Sequence, residues 1–245
     1  MPDLPFECER LKKKAMKRLL ILLFAGTIIS SCDGEGVMPD GVDPVFLRHF
    51  IVGYENGDYE IGMDEWGVLC LSVSKGTKVC YYSPEVAFGD YLADTVKFLR
   101  IAERNGDMSY NRTGHRVLFF LNHVCFADNF EKIHLVCTAS EGDAPWDTNH
   151  PVGSSLDDVA ELHFASYADF IRNGYPDTKE TMTFVEKRIS ELMPDDLAMI
   201  MCRDKVKLVF DNPPSSGKYE LEMTLTTTEG KVKTARYTYD AEAEK

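Results

Sequence analysis

The chain has 245 residues, 44% of them hydrophobic, 11% aromatic and 27% charged, with 27 Lys and Arg against 40 Asp and Glu for a net charge of −13. That length suffices for one large domain or two small ones with real cores, and the apolar and aromatic content excludes a disordered chain. The acidic balance argues against a nucleic-acid binder, which neutralises phosphates with clustered cations, and no apolar run reaches the roughly 18 residues of a spanning helix.

Residues 1–15, MPDLPFECERLKKKA, carry two prolines, three acids and Cys8, which suits an export leader poorly. From Met16 the pattern changes to MKRLLILLFAGTIISSC. Lys17 and Arg18 form a cationic start, residues 19–29 an apolar stretch of eleven, and Ser30 and Ser31 lead to Cys32. This is the architecture of a secretory signal peptide over 1–31, with translation starting at Met16 or with a long n-region from Met1. Ile29-Ser30-Ser31-Cys32 resembles the lipobox of bacterial lipoproteins. The resemblance implies cleavage before Cys32, acylation of that cysteine, and attachment to a membrane through lipid methylenes at about 0.8 kcal/mol each.

Removing 1–31 discards six cations and three acids and leaves 21 cations, 37 acids and a net charge of −16. A domain that acidic depends on its lipid for contact with anionic membranes. Residues 32–44, the cysteine followed by DGEGVMPDGVDP, read as a flexible tether. Asp33-Gly34-Glu35-Gly36 partly matches the export signal of Bacteroidetes-type surface lipoproteins, whereas Asp33 in enteric-type systems points to the inner membrane. The outer membrane is the favoured location, on either its periplasmic or its surface face.

Residues 45–245 read as a β-rich globular domain, either single or as two packed sub-domains. Strand patterns cover 45–53, 68–74, 77–82, 116–126, 131–139, 159–165, 197–202, 205–210, 219–227 and 231–239, separated by short turn signals. In the last pair, Tyr219, Leu221, Met223 and Leu225 alternate with Glu220, Glu222, Thr224 and Thr226. A three-residue loop, Thr228-Glu229-Gly230, sets Tyr219 opposite Tyr239, Leu221 opposite Tyr237 and Met223 opposite Ala235. A two-residue turn would flip one set of side chains, so the longer loop is expected, with Gly230 left-handed.

Helices are expected at 90–104, with Leu92, Val96 and Leu99 as the buried stripe and Asn105-Gly106 as the stop, and briefly at 166–174. Residues 181–193 carry Met182, Val185, Ile189 and Leu192 at helical spacing, although Thr183 and Phe184 also suit a strand. The expected architecture is mainly β, a β-sandwich (Ig-like or related) with a few short helical insertions. Once Cys8 is removed and Cys32 lipidated, Cys70, Cys80, Cys125, Cys137 and Cys202 remain. Their odd number and strand settings favour mostly free, buried thiols over one long-range bridge.

The chain carries no HExxH, Walker loop, GxSxG elbow or CxxC, and no cofactor is expected. Two constellations remain. If Asp128-Asn129 is a hairpin turn, His123 faces His134 with Cys125 beside them, a set that would hold Zn²⁺ or Cu²⁺; the competing reading is the polar side of a strand pair. In the loop 141–150, Trp146 with Asp143, Asp147 and Asn149 would form an aromatic platform for a sugar or an oxygen cage for Ca²⁺; the competing reading has Trp146 packed back onto the sheet.

Residues 150–158, HPVGSSLDD, the stretch from Tyr167 to Tyr175, and the C-terminal LVFDNPP with its two strands resemble uncharacterised lipoproteins of gut Bacteroidetes. The resemblance implies envelope residence and a β-rich domain, and transfers no functional residue. The expected function is binding or structural interaction at the envelope, with a glycan, a peptide or another envelope protein as partner. The alternative is a glycan-processing enzyme using an unassigned carboxylate pair.

Overall fold

The computed structural model describes residues 49–80, 92–110, 123–202 and 205–242. The leader, Cys32 and the tether lie outside them. Residues 43–245 cluster as one compact unit.

The fold is mainly β and is built from two sheets. Strand β1 (Gly53–Met63) pairs antiparallel with β2 (Leu69–Cys80), and the short β3 (Leu92–Ala93) runs parallel to the end of β2. Helix α1 (Thr95–Asn105) follows, then β4 (Val124–Phe126), which lies parallel to β1. After β5 (Phe130–Ser140) come β6 (Ala160–Ser166), the single-turn α2 (Ala168–Arg172), β7 (Thr183–Arg188) and β8 (Val206–Phe210). Strands β9 (Lys218–Thr227) and β10 (Val232–Asp240) close the chain. The larger sheet runs β4-β1-β2-β8-β6-β7, with β3 beside β2; the smaller runs β10-β9-β5.

The inner faces of the sheets meet in one core that includes Ile61, Leu71, Leu135, Leu162, Leu208, Met223 and Leu225. A second core lies on the opposite face of the larger sheet, where Phe50, Tyr54, Val79, Phe98, Tyr167 and Phe170 join α1 and α2 to it. The larger sheet therefore buries both faces. Between Gly57↔Gly76 and Tyr59↔Val73, β1 advances two residues and β2 three, a bulge with one extra residue in β2. The extra residue inverts the alternation: Leu69 and Leu71 face the inter-sheet core, Val79 the helical one. The break that reads as a turn between two strands at 68–74 and 77–82 is this bulge.

The final hairpin has the expected register, with Tyr219↔Tyr239, Leu221↔Tyr237 and Met223↔Ala235 and Gly230 at φ 78°. Helix α1 is capped by the Asp94 carboxylate on Lys97 N and ends at left-handed Gly106. Its buried face differs from the expected stripe. Phe98, Ile101, Ala102 and Asn105 face inward, while Leu92 is 63% and Val96 81% exposed. The short helix α2 ends as expected near Gly174, at φ 75°.

Three expectations are corrected. Residues 183–188 form edge strand β7 against β6, and 189–191 a 3₁₀ turn, because backbone pairing with β6 outweighs a helical spacing that buries only Val185 and Ile189. Residues 197–202 form only isolated bridges, Ser166↔Ile200 and Cys125↔Met201, beside the ends of β6 and β4. Of the strand expected at 45–53, residues 45–48 lie outside the described residues; among the described ones strand β1 starts at Gly53 and runs to Met63, since residues 50 and 51 are held by the buried Asp107 carboxylate. Cys70, Cys80, Cys125, Cys137 and Cys202 are all free thiols.

Candidate functional site

The loop after β5 carries the residues expected to form a sugar platform. Glu141–Asp143 makes a 3₁₀ turn with Gly142 and Asp143 left-handed. The chain then turns back through Trp146 N–H to His150 O at 2.8 Å. Trp146 is 2% exposed and sits among the rings of Phe210, Tyr219 and Tyr239 at 4.6, 5.3 and 5.2 Å between centroids. It closes the end of the inter-sheet core, so it offers no face to a sugar.

Asp143 and Asn149 are exposed around it, and Asp147 is taken up within the loop. The Asp147 carboxylate accepts from Asn149 N at 2.7 Å and lies 2.8 Å from His150 Nδ1, while His150 Nε2 is 3.0 Å from Asp158. Both ring nitrogens of His150 face carboxylates, which only accept, an arrangement that favours the imidazolium. Burial opposes its charge, but the hydrogen bonds of Asp147 and Asp158 outweigh it and raise the pKa. The four residues are not gathered around a ligand; the loop is a clamp that holds Trp146 in place.

The proposed metal set is likewise dispersed. Asp128-Asn129 is not a hairpin turn but the corner where the chain passes from the larger sheet (β4) to the smaller (β5). The Asn129 amide is buried there, donating to Asn105 Oδ1 at 2.9 Å and accepting from Met199 N at 3.0 Å. His123 therefore stacks on Phe50 at 3.8 Å, its pKa pushed down to about 4 by burial, while His134 donates to Asp157 at 2.6 Å beside the smaller sheet. Cys125 is fully buried against Met199 O, and burial raises its thiol pKa. Among the described residues no three His, Cys, Asp or Glu side chains gather closely enough to hold a metal ion.

Two depressions are lined by described residues. One of about 650 Å³ beside β5 is lined by two carboxylates, Glu131 and Asp157. Glycoside hydrolysis uses such a pair, but one Asp157 oxygen already holds His134 and the other accepts Leu135 N at 2.7 Å.

The other, of about 380 Å³, lies between α1 and the β9–β10 turn. Lys97, Arg100 and Arg104, spaced three and four apart, present one basic face of the helix to it. Glu229 and Lys231 line it from the β9–β10 turn, and Asn56, Ile101, Ala127 and Asp128 complete the lining. Asn56 is fixed by a close crossing of β1 and β2, where a Cβ on Gly76 would lie 2.0 Å from the Asn56 carbonyl oxygen.

Charges in this groove are unequally satisfied. Glu229 is held by Arg104 at 3.1 Å and Lys231 at 2.8 Å; the Lys231 bond, reinforced by Arg104, keeps its carboxyl below the usual range. Arg104 also donates to the Ala127 carbonyl. Asp128 is neutralised from below by Lys233 at 2.6 Å. Lys97 and Arg100 make no side-chain hydrogen bond or ion pair with any described residue. The i, i+3, i+7 spacing of the three cations is visible in the sequence, but an excess of acids along the whole chain hides it from any count of charge.

Compared with protein-family models, with curated proteins and with solved structures, the chain matches none.

Proposed function

We propose that the protein is a lipid-anchored protein of the cell envelope whose β-rich domain serves binding or structural interaction rather than catalysis. The observation that carries the anchoring is the order of the leader: cations at 17 and 18, an apolar run over 19–29, two serines, and Cys32. The Gly-, Pro- and Asp-rich segment 33–44 then spaces the domain from the membrane. The outer membrane, on either face, is the proposed location.

A binding role is supported by the inventory of side chains. Trp146, Asp147 and Asp157 are engaged in packing and in clamps, whereas the groove beside α1 holds two cations, Lys97 and Arg100, without counter-ions among the described residues. Of the partners considered, a glycan fits that groove best.

Growth of a bacterial host expressing the full chain in radiolabelled palmitate tests the anchor. Wild type should take up label and sediment with membranes, and Cys32→Ala should take up no label. Label retained by Cys32→Ala would overturn it.

A further inference from the structure

We infer that the groove between α1 and the β9–β10 turn binds an acidic saccharide, a sugar bearing a carboxylate among its hydroxyls. This rests on the binding role proposed above and names the ligand class of that role. Lys97 and Arg100 lie one helical turn apart and lack a counter-charge among the described residues. In a chain of net charge −13, two such cations lining one cavity are conspicuous. The Arg100 guanidinium can meet a carboxylate with two parallel N–H donors, and the Lys97 ammonium adds a point charge.

The same groove already contains a carboxylate bound in this manner. Glu229 bridges Arg104 and Lys231 from the tip of a hairpin, so an internal acid occupies half of the basic cluster and leaves the other half open. What remains of the lining carries acceptors: the Asp128 and Glu229 carboxylates, with Asn56 beside them. Those acceptors suit hydroxyl donors and repel a bare inorganic anion. Ile101 and Ala127 supply only a small apolar surface to the cavity, too little to anchor the side chains of a peptide. A ligand carrying one carboxylate and several hydroxyls satisfies both halves. A volume of about 380 Å³ admits one or two sugar rings, at the small end of ligand pockets.

Isothermal titration of the full chain at low salt tests this with three probes: the trisaccharide of galacturonic acid, the matching neutral galactose trisaccharide, and a tetraglutamate peptide. The acidic trisaccharide should bind one to one and the other two at least tenfold more weakly. Lys97→Gln with Arg100→Gln should weaken it about tenfold per cation lost. Glu229→Gln, which frees Arg104 and Lys231, should tighten it several-fold. Gln keeps the helical propensity of both positions, and thermal unfolding of each variant verifies that it is folded.

Absence of heat with the acidic trisaccharide overturns the proposal. So does equal binding of the neutral sugar, tighter binding of the peptide, or affinity unchanged by the double substitution. The titration does not depend on lipid. A negative result beside intact palmitate labelling removes the saccharide and keeps the anchor, and the reverse pattern does the opposite. Peptide binding alone keeps a binding role and changes its ligand.

Discussion

Lys233 Nζ on β10 lies 2.6 Å from the carboxylate of Asp128 at the corner between the sheets, and it also donates to the Gly57 carbonyl of β1. One side chain of the smaller sheet is thereby tied to the backbone of the larger. The Tyr59 hydroxyl completes the cluster, donating to Asp128 at 3.2 Å, with its ring 5.0 Å below the ammonium. Burial, then the charge of Asp128, raises the Tyr59 pKa, so the phenol stays a donor. The carboxylate and ammonium side chains are only 10% and 19% exposed, so removing one leaves the other poorly solvated.

Lys233→Met should accordingly destabilise the fold by about 3 kcal/mol, the cost of leaving a buried carboxylate without its cation. Asp128→Asn combined with Lys233→Met should recover most of that loss, because no uncompensated charge remains. Urea unfolding of the two variants and wild type measures the difference. Equal destabilisation by both would show that the contact matters for packing and not for charge.

The two tryptophans have opposite environments, which gives the closing role of Trp146 an optical test. Trp146 is 2% exposed and Trp66 80%. Trp66→Phe should leave a blue-shifted emission that acrylamide quenches poorly, and Trp146→Phe a red-shifted emission that is quenched freely. Truncation by Trp146→Ala should cost about 3–5 kcal/mol, since it opens a cavity between Phe210, Tyr219 and Tyr239. A strongly quenched Trp146 would restore the platform reading.

What the sequence made legible follows from where each pattern originates. The β9–β10 register could be read because one face is buried and the other wet, so period two survives in the residues. The α1 terminus could be read because Asn105-Gly106 is a local signal. Its buried face could not, because burial of Asn105 depends on a bond to Asn129 from a distant corner. Residues 183–188 mislead for a related reason: only Val185 is buried, and Phe184 is 71% exposed on an edge. His123 and His134 were separable only by knowing that β4 pairs with β1, a long-range choice with no local trace. The neighbours of Trp146 in sequence are compatible with both of its readings, and the ends of β8, β9 and β10 decide for the packed one.

The bulge in β2 should depend on Gly76 for a steric reason and not a conformational one. Nothing about its φ demands glycine, but an added Cβ would meet the Asn56 carbonyl oxygen at 2.0 Å and the Gly57 Cα at 2.4 Å, both backbone atoms. Gly76→Ala should therefore destabilise by about 3 kcal/mol or shift the register of the β1–β2 pair. Hydrogen exchange of the 53–63 amides would record the change as lost protection. Gly62→Ala, with no heavy atom within 4 Å of its Cβ, should be mild by comparison.

The His150 clamp makes stability depend on pH in a direction fixed by its charge. Its folded pKa is raised, so its stabilising contribution is complete below the unfolded value near 6.5 and is lost as pH rises through the folded value. The Asp147 carboxyl opposes this at the acid end. Despite a burial effect in the other direction, the His150 bond lowers its pKa, so its contribution is lost as pH falls below the usual aspartate range. Asp107 adds a separate slope: burial raises it to about 6, so its protonated form stabilises the fold at acid pH and that gain disappears by about pH 6. His123, with its folded pKa lowered to about 4 by burial, adds a small opposite slope as the unfolded ring loses its proton above pH 6.5, and does so equally in both proteins, so the difference between wild type and His150→Gln over pH 6.5 to 8 isolates His150. Across that interval the melting temperature of wild type should fall relative to that of His150→Gln, which starts from a lower value at pH 6.5. Asp158→Asn should show an intermediate slope, because one of the two carboxylates that hold the imidazolium remains. Parallel pH profiles for wild type and His150→Gln would show that the ring sits there uncharged and that the loop is held by Trp146 packing alone.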